Sequence, residues 1–131
     1  VHGTPVNFII EEPESHLFPE SQKYITELIT LIFNLGHSIL VTTHSPYVLG
    51  TLNNLLYADN IPKNLKDTAS SIIPSEFWVN GNQFSAWFVK NGSVEDCIDQ
   101  EIHLIQNEKL DQISKVINRD FDKLFDLEMD E

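Results

Sequence analysis

Phe8-Ile9-Ile10-Glu11-Glu12-Pro13-Glu14-Ser15-His16-Leu17-Phe18-Pro19-Glu20 runs from an apolar stretch, through a cluster of carboxylates, to a proline. Val6 to Ile10 is almost continuously apolar, the pattern of a strand covered on both faces. Pro19 suits the first turn of a helix, where a missing N–H costs nothing. Beyond it Ile25, Leu28, Ile29, Ile32 and Leu35 form one helical stripe, and Gly36 follows where a left-handed cap is cheap for glycine. Ser38 to Val41 is a second short β-branched run. Two strands joined through a helix are expected to lie parallel, with a right-handed crossover. The fold class is therefore α/β.

Paired carboxylates at the carboxyl end of a buried parallel strand stand where open α/β sheets place their ligands. Of Glu11 and Glu12, one could hold Mg²⁺, directly or through water, and the next could accept a proton from an attacking water. The plain alternative is an acidic loop feeding a helix amino terminus, where carboxylates favour the dipole; from Glu-Glu alone that alternative is preferred. A second segment shifts the balance. Ser38-Ile39-Leu40-Val41-Thr42-Thr43-His44-Ser45-Pro46 puts a histidine just past the next parallel strand. Both strand ends leave the sheet on the same edge, so His44 is expected near Glu12.

Ser45-Pro46 opens a second helix, Ser as N-cap and Pro at its first position, with Val48, Leu49, Leu52, Leu55 and Leu56 on its apolar face. Residues 1–57 thus form a β-α-β-α unit. Residues 58–75, with Pro62 and Pro74, read as an irregular linker. In residues 76–131, Phe84 to Val89 and Ser93 to Ile98 flank Asn91-Gly92, a dipeptide made for a tight hairpin turn. Leu110, Ile113, Ile117, Phe121, Leu124 and Phe125 then mark an amphipathic helix.

A length of 131 residues fits one domain or part of one. The formal charge of −12 speaks against a nucleic-acid surface, which needs clustered Lys and Arg to displace counterions. The acids gather after residue 94, 12 Asp and Glu against Lys109, Lys115, Arg119 and Lys123, and read as a solvated outer face. A single cysteine, Cys97, excludes an internal disulfide and reads as a small core residue, since no basic sequence neighbour activates it. Trp78 and Trp87 read as core or sheet-face residues. No apolar run is long enough to span a membrane. The start, Val-His-Gly-Thr-Pro, lacks Met and the pattern of a signal peptide, and is expected to be an internal cut in a cytoplasmic protein.

Ile-Ile-Glu-Glu-Pro-Glu-Ser-His-Leu-Phe-Pro followed by Val-Thr-Thr-His-Ser-Pro resembles the Walker B, D-loop and switch-histidine succession of ABC-type ATPases. The likeness is greatest to the RecF-, SMC- and OLD-like subgroup of AAA-type ATP-binding proteins. The two motifs cover residues 6–49. A looser similarity runs through Phe84-Ser85-Ala86-Trp87-Phe88, Asn91-Gly92 and Asp111-Gln112-Ile113-Ser114.

The resemblance implies the carboxyl-terminal half of a P-loop NTPase core, with a hairpin and a terminal helix appended. It implies that Glu11 orders Mg²⁺, usually through water, and that Glu12 polarises the water attacking the γ-phosphate of ATP. His44 would sense that phosphate, and Ser15 would join it in meeting the nucleotide. Ser15, His16, Leu17 and Phe18 would form the D-loop, which in this class runs along the interface of two ATPase cores. The intact protein would then be a homodimeric ATPase, with any DNA contact made outside this chain. Two positions depart from the pattern: Glu11 stands where most transporter-type members have Asp, and Phe18 where many have Asp.

No Gly is followed by Lys, so the G-x-x-x-x-G-K-[ST] phosphate loop is not in this chain; nor is Gly-Gly or Ser-Gly, the mark of a signature loop. Without a phosphate loop's backbone donors and its Lys, the isolated chain is expected to bind ATP very weakly or not at all. Two other readings compete. One is a zinc or iron enzyme using Glu12, His16 and His44, the first two at i, i+4 spacing. The other is a non-catalytic interaction module that docks a partner through the terminal helix.

Overall fold

The computed structural model describes residues 3–106 and 108–129. Its chain is mixed α/β: β1 (Asn7–Glu11), α1 (Pro19–Asn34), β2 (Ser38–Thr42), α2 (Pro46–Asn60), α3 (Lys66–Ile72), β3 (Trp87–Lys90), β4 (Ser93–Asp96) and α4 (Glu108–Met129). β1 and β2 pair in parallel, Asn7 opposite Ser38 through Glu11 opposite Thr42, so the expected strand–helix–strand unit is present and both strand ends share one edge.

The helix starts follow from local chemistry. Pro19 opens α1, and Gly36, just past its end, has φ of 102°. A residue with a Cβ is strained there, which explains the glycine. Ser45 caps α2 by accepting from the N–H groups of Tyr47 and Val48, with Pro46 next. The inner face of α2 is the expected one. Val48, Leu55 and Leu56 are buried, and Leu49 and Leu52 pack partly buried against the same core. Leu55 and Leu56 meet Val79, Cys97 and Ile105, so residues beyond 76 cover this helix. Cys97 is a free, buried thiol and Trp78 is a buried core residue, its indole N–H donating to the Ile73 carbonyl at 2.9 Å.

The hairpin forms around Asn91-Gly92, with Lys90 opposite Ser93. Asn91 has φ of 51° and Gly92 of 74°, the pair of positive angles that a two-residue turn of type I′ requires. The strands are shorter than the sequence pattern, ending at Trp87 and Asp96, and beyond them the Cys97 N–H donates to the Ala86 carbonyl at 3.0 Å.

Three expectations need correction. The β1–β2 pair is not covered on both faces: Phe8, Ile10, Ile39 and Val41 are half-buried, whereas Ile9 is 74% and Leu40 60% exposed. The buried face of α1 is not centred on its hydropathy stripe. Leu28 and Leu35 are exposed, and Thr26, Ile29 and Thr30 are buried where α1 packs on α2. The threonine hydroxyls are satisfied within the helix, donating to the carbonyls of Gln22 and Glu27, so they enter the interior without an orphan donor. Residues 58–75 are not irregular. They hold the end of α2, a 3₁₀ turn at Lys63–Leu65, and α3, whose Ala69 is buried with Ala58 and Trp78. Pro62 and Pro74 stand immediately before short 3₁₀ turns, so they begin helical turns rather than dissolving structure.

The terminal helix is present as α4. The side chains of Leu110 and Ile113 lie outside the described residues. Ile117, Phe121, Leu124 and Phe125 are exposed along it, with the Phe121 and Phe125 rings stacked at 6.4 Å.

Candidate active site

At the carboxyl end of β1 the chain leaves the sheet abruptly. The Glu12 N–H donates to the Thr42 carbonyl at 2.8 Å, one rung past the last paired residue. Glu12 itself has φ of 45°, unusual for a residue with a side chain and typical of backbone held at functional sites. The Ser15 N–H then closes a turn on the Glu12 carbonyl at 3.0 Å, and the Leu17 N–H a second on the Glu14 carbonyl at 3.0 Å. His16, with φ of 64°, reverses the chain toward α1.

These turns bring the two sequence-predicted groups together. His44 Nε2 lies 3.3 Å from Glu12 Oε1. Glu12 Oε2 accepts a hydrogen bond from Ser15 Oγ at 3.4 Å. The pair is open to solvent, His44 being 90% exposed in its side chain and Glu12 50%. A contact so exposed contributes little to stability, because water competes for both partners. Its value is positional: a carboxylate and an imidazole share one water-accessible point at the strand edge. Glu11, opposite Thr42 in the register, is exposed on the face of β1 that also carries Ile9.

The loop carrying His44 is held by partly buried bonds. Glu14 is 9% exposed, although Ser15, His16, Leu17 and Phe18 around it are exposed. Its Oε1 accepts from Thr43 Oγ1 at 2.5 Å and from the His44 N–H at 3.2 Å. The Ser45 N–H donates to Thr43 Oγ1 at 3.0 Å. Ser45 Oγ donates to Gln22 Oε1, and Gln22 Nε2 donates in turn to the Leu17 carbonyl at 2.9 Å. The turn after β1 and the loop after β2 are thus fastened at two places, through Glu14 and through Gln22.

Glu14, Gln22 and Thr43 were not among the residues singled out from sequence. The available signal was weak: a further carboxylate just after Glu11-Glu12, and a hydroxyl beside His44. The zinc or iron arrangement of Glu12, His16 and His44 does not form. Residues 13–16 are turn, not helix, so i, i+4 spacing does not align Glu12 with His16, and among the described residues no three His, Cys, Asp or Glu side chains gather as a metal site. A single magnesium ion asks for less, one or two hard carboxylate oxygens completed by water and phosphate, and the exposed Glu11 and Glu12 carboxylates fit that requirement. Among the described residues no helix is long and apolar enough to cross a membrane.

Residues 2–49 match a family model described as an AAA ATPase domain. The match runs from β1 to the opening of α2 and so contains the whole Glu12–His44 site; it does not extend to the looser similarity noted beyond residue 84. It supports an AAA-type ATPase family, and with it ATP binding and hydrolysis in general terms. No curated protein and no solved structure matches the chain.

Proposed function

We propose that this chain supplies the water-activating and γ-phosphate-sensing side of an ATPase site of the ABC type, in the RecF-, SMC- and OLD-like subgroup. The observation that carries the reading is the 3.3 Å approach of His44 Nε2 to Glu12 Oε1 at the carboxyl edge of two parallel strands. Phosphoryl transfer asks a protein mainly for positioning and electrostatics, and these two groups provide both at one point.

In this reading Glu12 Oε1 orients a water molecule and takes its proton as the new P–O bond forms and the bond between the β- and γ-phosphates breaks. His44 donates toward a γ-phosphate oxygen. Because its contact with Glu12 is exposed and weak, exchanging the carboxylate for a phosphate oxygen costs little. Glu11 would hold Mg²⁺, directly or through water, and the ion would supply neutralisation of the charge that develops on the phosphates. Ser15, bonded to Glu12, lines the nucleotide side of the turn. The phosphate loop comes from a part of the ATPase core outside this chain. The active form is a cytoplasmic homodimer meeting across the D-loop, Ser15 to Phe18, with DNA repair, chromosome handling or phage defence as outputs and DNA contacts made elsewhere. Residues 1–57 are the core portion and 76–131 the appendage.

The test is Glu12→Gln in the complete protein. It should keep ATP affinity while lowering kcat by about 10²- to 10⁴-fold, the usual contribution of a general base. Retention of most of the turnover would overturn the reading, as would a coding sequence without a phosphate loop upstream. A second reading, an interaction module, draws on the exposed apolar side chains Ile117, Phe121, Leu124 and Phe125 of α4. Dimerisation of the Glu12→Gln form without nucleotide would favour the module; nucleotide-dependent dimerisation would favour the ATPase.

A further inference from the structure

A carboxylate buried in a turn whose next four residues are all exposed calls for a reason, because burial removes water that would otherwise solvate it. Glu14 is such a group. Its exposure is 9%, while Ser15, His16, Leu17 and Phe18 are open to solvent. No Lys, Arg or His among the described residues pairs with it. Among the described residues its Oε2 is buried without a hydrogen-bond partner, and both of its bonds converge on Oε1. Those two bonds reach 29 and 30 residues along the chain, to the hydroxyl of Thr43 and the backbone N–H of His44.

We infer that Glu14 is a positioning residue for His44, its buried carboxylate fixing the backbone from which the imidazole reaches the reacting phosphate. This rests on the reading of His44 as the γ-phosphate sensor. The imidazole is 90% exposed, and its contact with Glu12 Oε1 is open to water and holds it only weakly. Its aim is therefore set at its backbone, and on the loop from Thr43 to Ser45 the side chain that reaches the His44 N–H is Glu14. Thr43 serves the same end, since its Oγ1 donates to Glu14 and accepts from the Ser45 N–H. Glu14 need not be charged for this. Glutamine has the same shape, keeps an oxygen acceptor for both bonds, and sets its amide nitrogen where Oε2 already lacks a partner. Alanine keeps neither bond.

The experiment measures ATP turnover of the complete protein in Glu14→Gln, Glu14→Ala and His44→Ala forms, and in the Glu14→Ala/His44→Ala double variant. Glu14→Ala should lower kcat by about 10- to 100-fold with little change in KM for ATP, as loss of an orienting partner does. Glu14→Gln should restore turnover to within about threefold of wild type, since the acceptor geometry is kept. Adding Glu14→Ala to His44→Ala should cost less than about twofold more, because a residue acting through His44 has nothing left to orient. Additive losses, or failure of glutamine to rescue, would overturn the inference while leaving the role of His44 intact. His44→Ala with undiminished turnover would overturn both. If Glu14→Ala does not fold, Thr43→Val takes its place in the same cycle, with the same expected and refuting results.

Discussion

Ser45→Ala tests the scaffold on which His44 stands. Ser45 is 7% exposed, and its Oγ makes three bonds: it accepts from Tyr47 N–H at 3.1 Å and Val48 N–H at 3.2 Å, and it donates to Gln22 Oε1. Alanine removes all three. Loss of a serine N-cap costs about 1 kcal/mol. Leaving the half-buried Gln22 oxygen without its donor adds about 1 kcal/mol more. The sum, about 2 kcal/mol, lowers Tm by about 8 °C for a chain of this size. Thermal unfolding followed by far-ultraviolet circular dichroism, wild type and variant side by side, measures it. Ser45→Gly separates the two contributions, because glycine costs only a few tenths of a kcal/mol as a cap yet equally loses the Gln22 bond. The expected order of stability is Ser, then Gly, then Ala. A loss below about 0.5 kcal/mol for alanine lies within the scatter of ordinary surface changes and would refute the account of this loop.

Asn53→Ala should destabilise by about 2 kcal/mol, since Asn53 donates to the Ile105 carbonyl at 3.0 Å and accepts from the Ile105 N–H at 2.8 Å, and Ile105 is a buried core residue; urea denaturation checks it, and Asn53→Asp should keep only the acceptor half. Isothermal calorimetry of ATP against the isolated 131-residue chain should show no micromolar binding, for want of phosphate-loop donors; micromolar affinity would contradict the proposed division of the site.

The site was legible to the extent that backbone topology decides it. Two short apolar runs separated by a helix-length stripe fix a parallel pair, and a parallel pair puts Glu12 and His44 on one edge. Ser45-Pro46 and Asn91-Gly92 were legible for a similar reason, because each dipeptide has few backbone uses besides a helix start and a hairpin turn. What escaped depends on partners far away in the chain. Glu14 reads as one more solvated acid until Thr43, 29 residues on, is seen to cover it. The inner face of α1 escaped because Thr26 and Thr30 bury through bonds to their own helix, which hydropathy counts as polar. Residues 58–75 escaped because proline marks a turn and a helix start equally well, and the buried Ala69 that decides between them carries almost no hydropathic weight.

The half-covered sheet has a practical consequence for anyone who makes the protein. A sheet of two strands leaves the outer edge of each as a row of backbone donors and acceptors without a ladder partner among the described residues, and Ile9 and Leu40 add bare apolar area beside them. Such an edge is a template for strand addition by other copies. Expressed without a segment to lie over β1 and β2, the chain will tend to aggregate as its concentration rises, whatever the health of the core around Leu55 and Leu56. A lysine placed at Ile9 or Leu40 should lower that tendency, since a charge beside an open edge opposes strand addition.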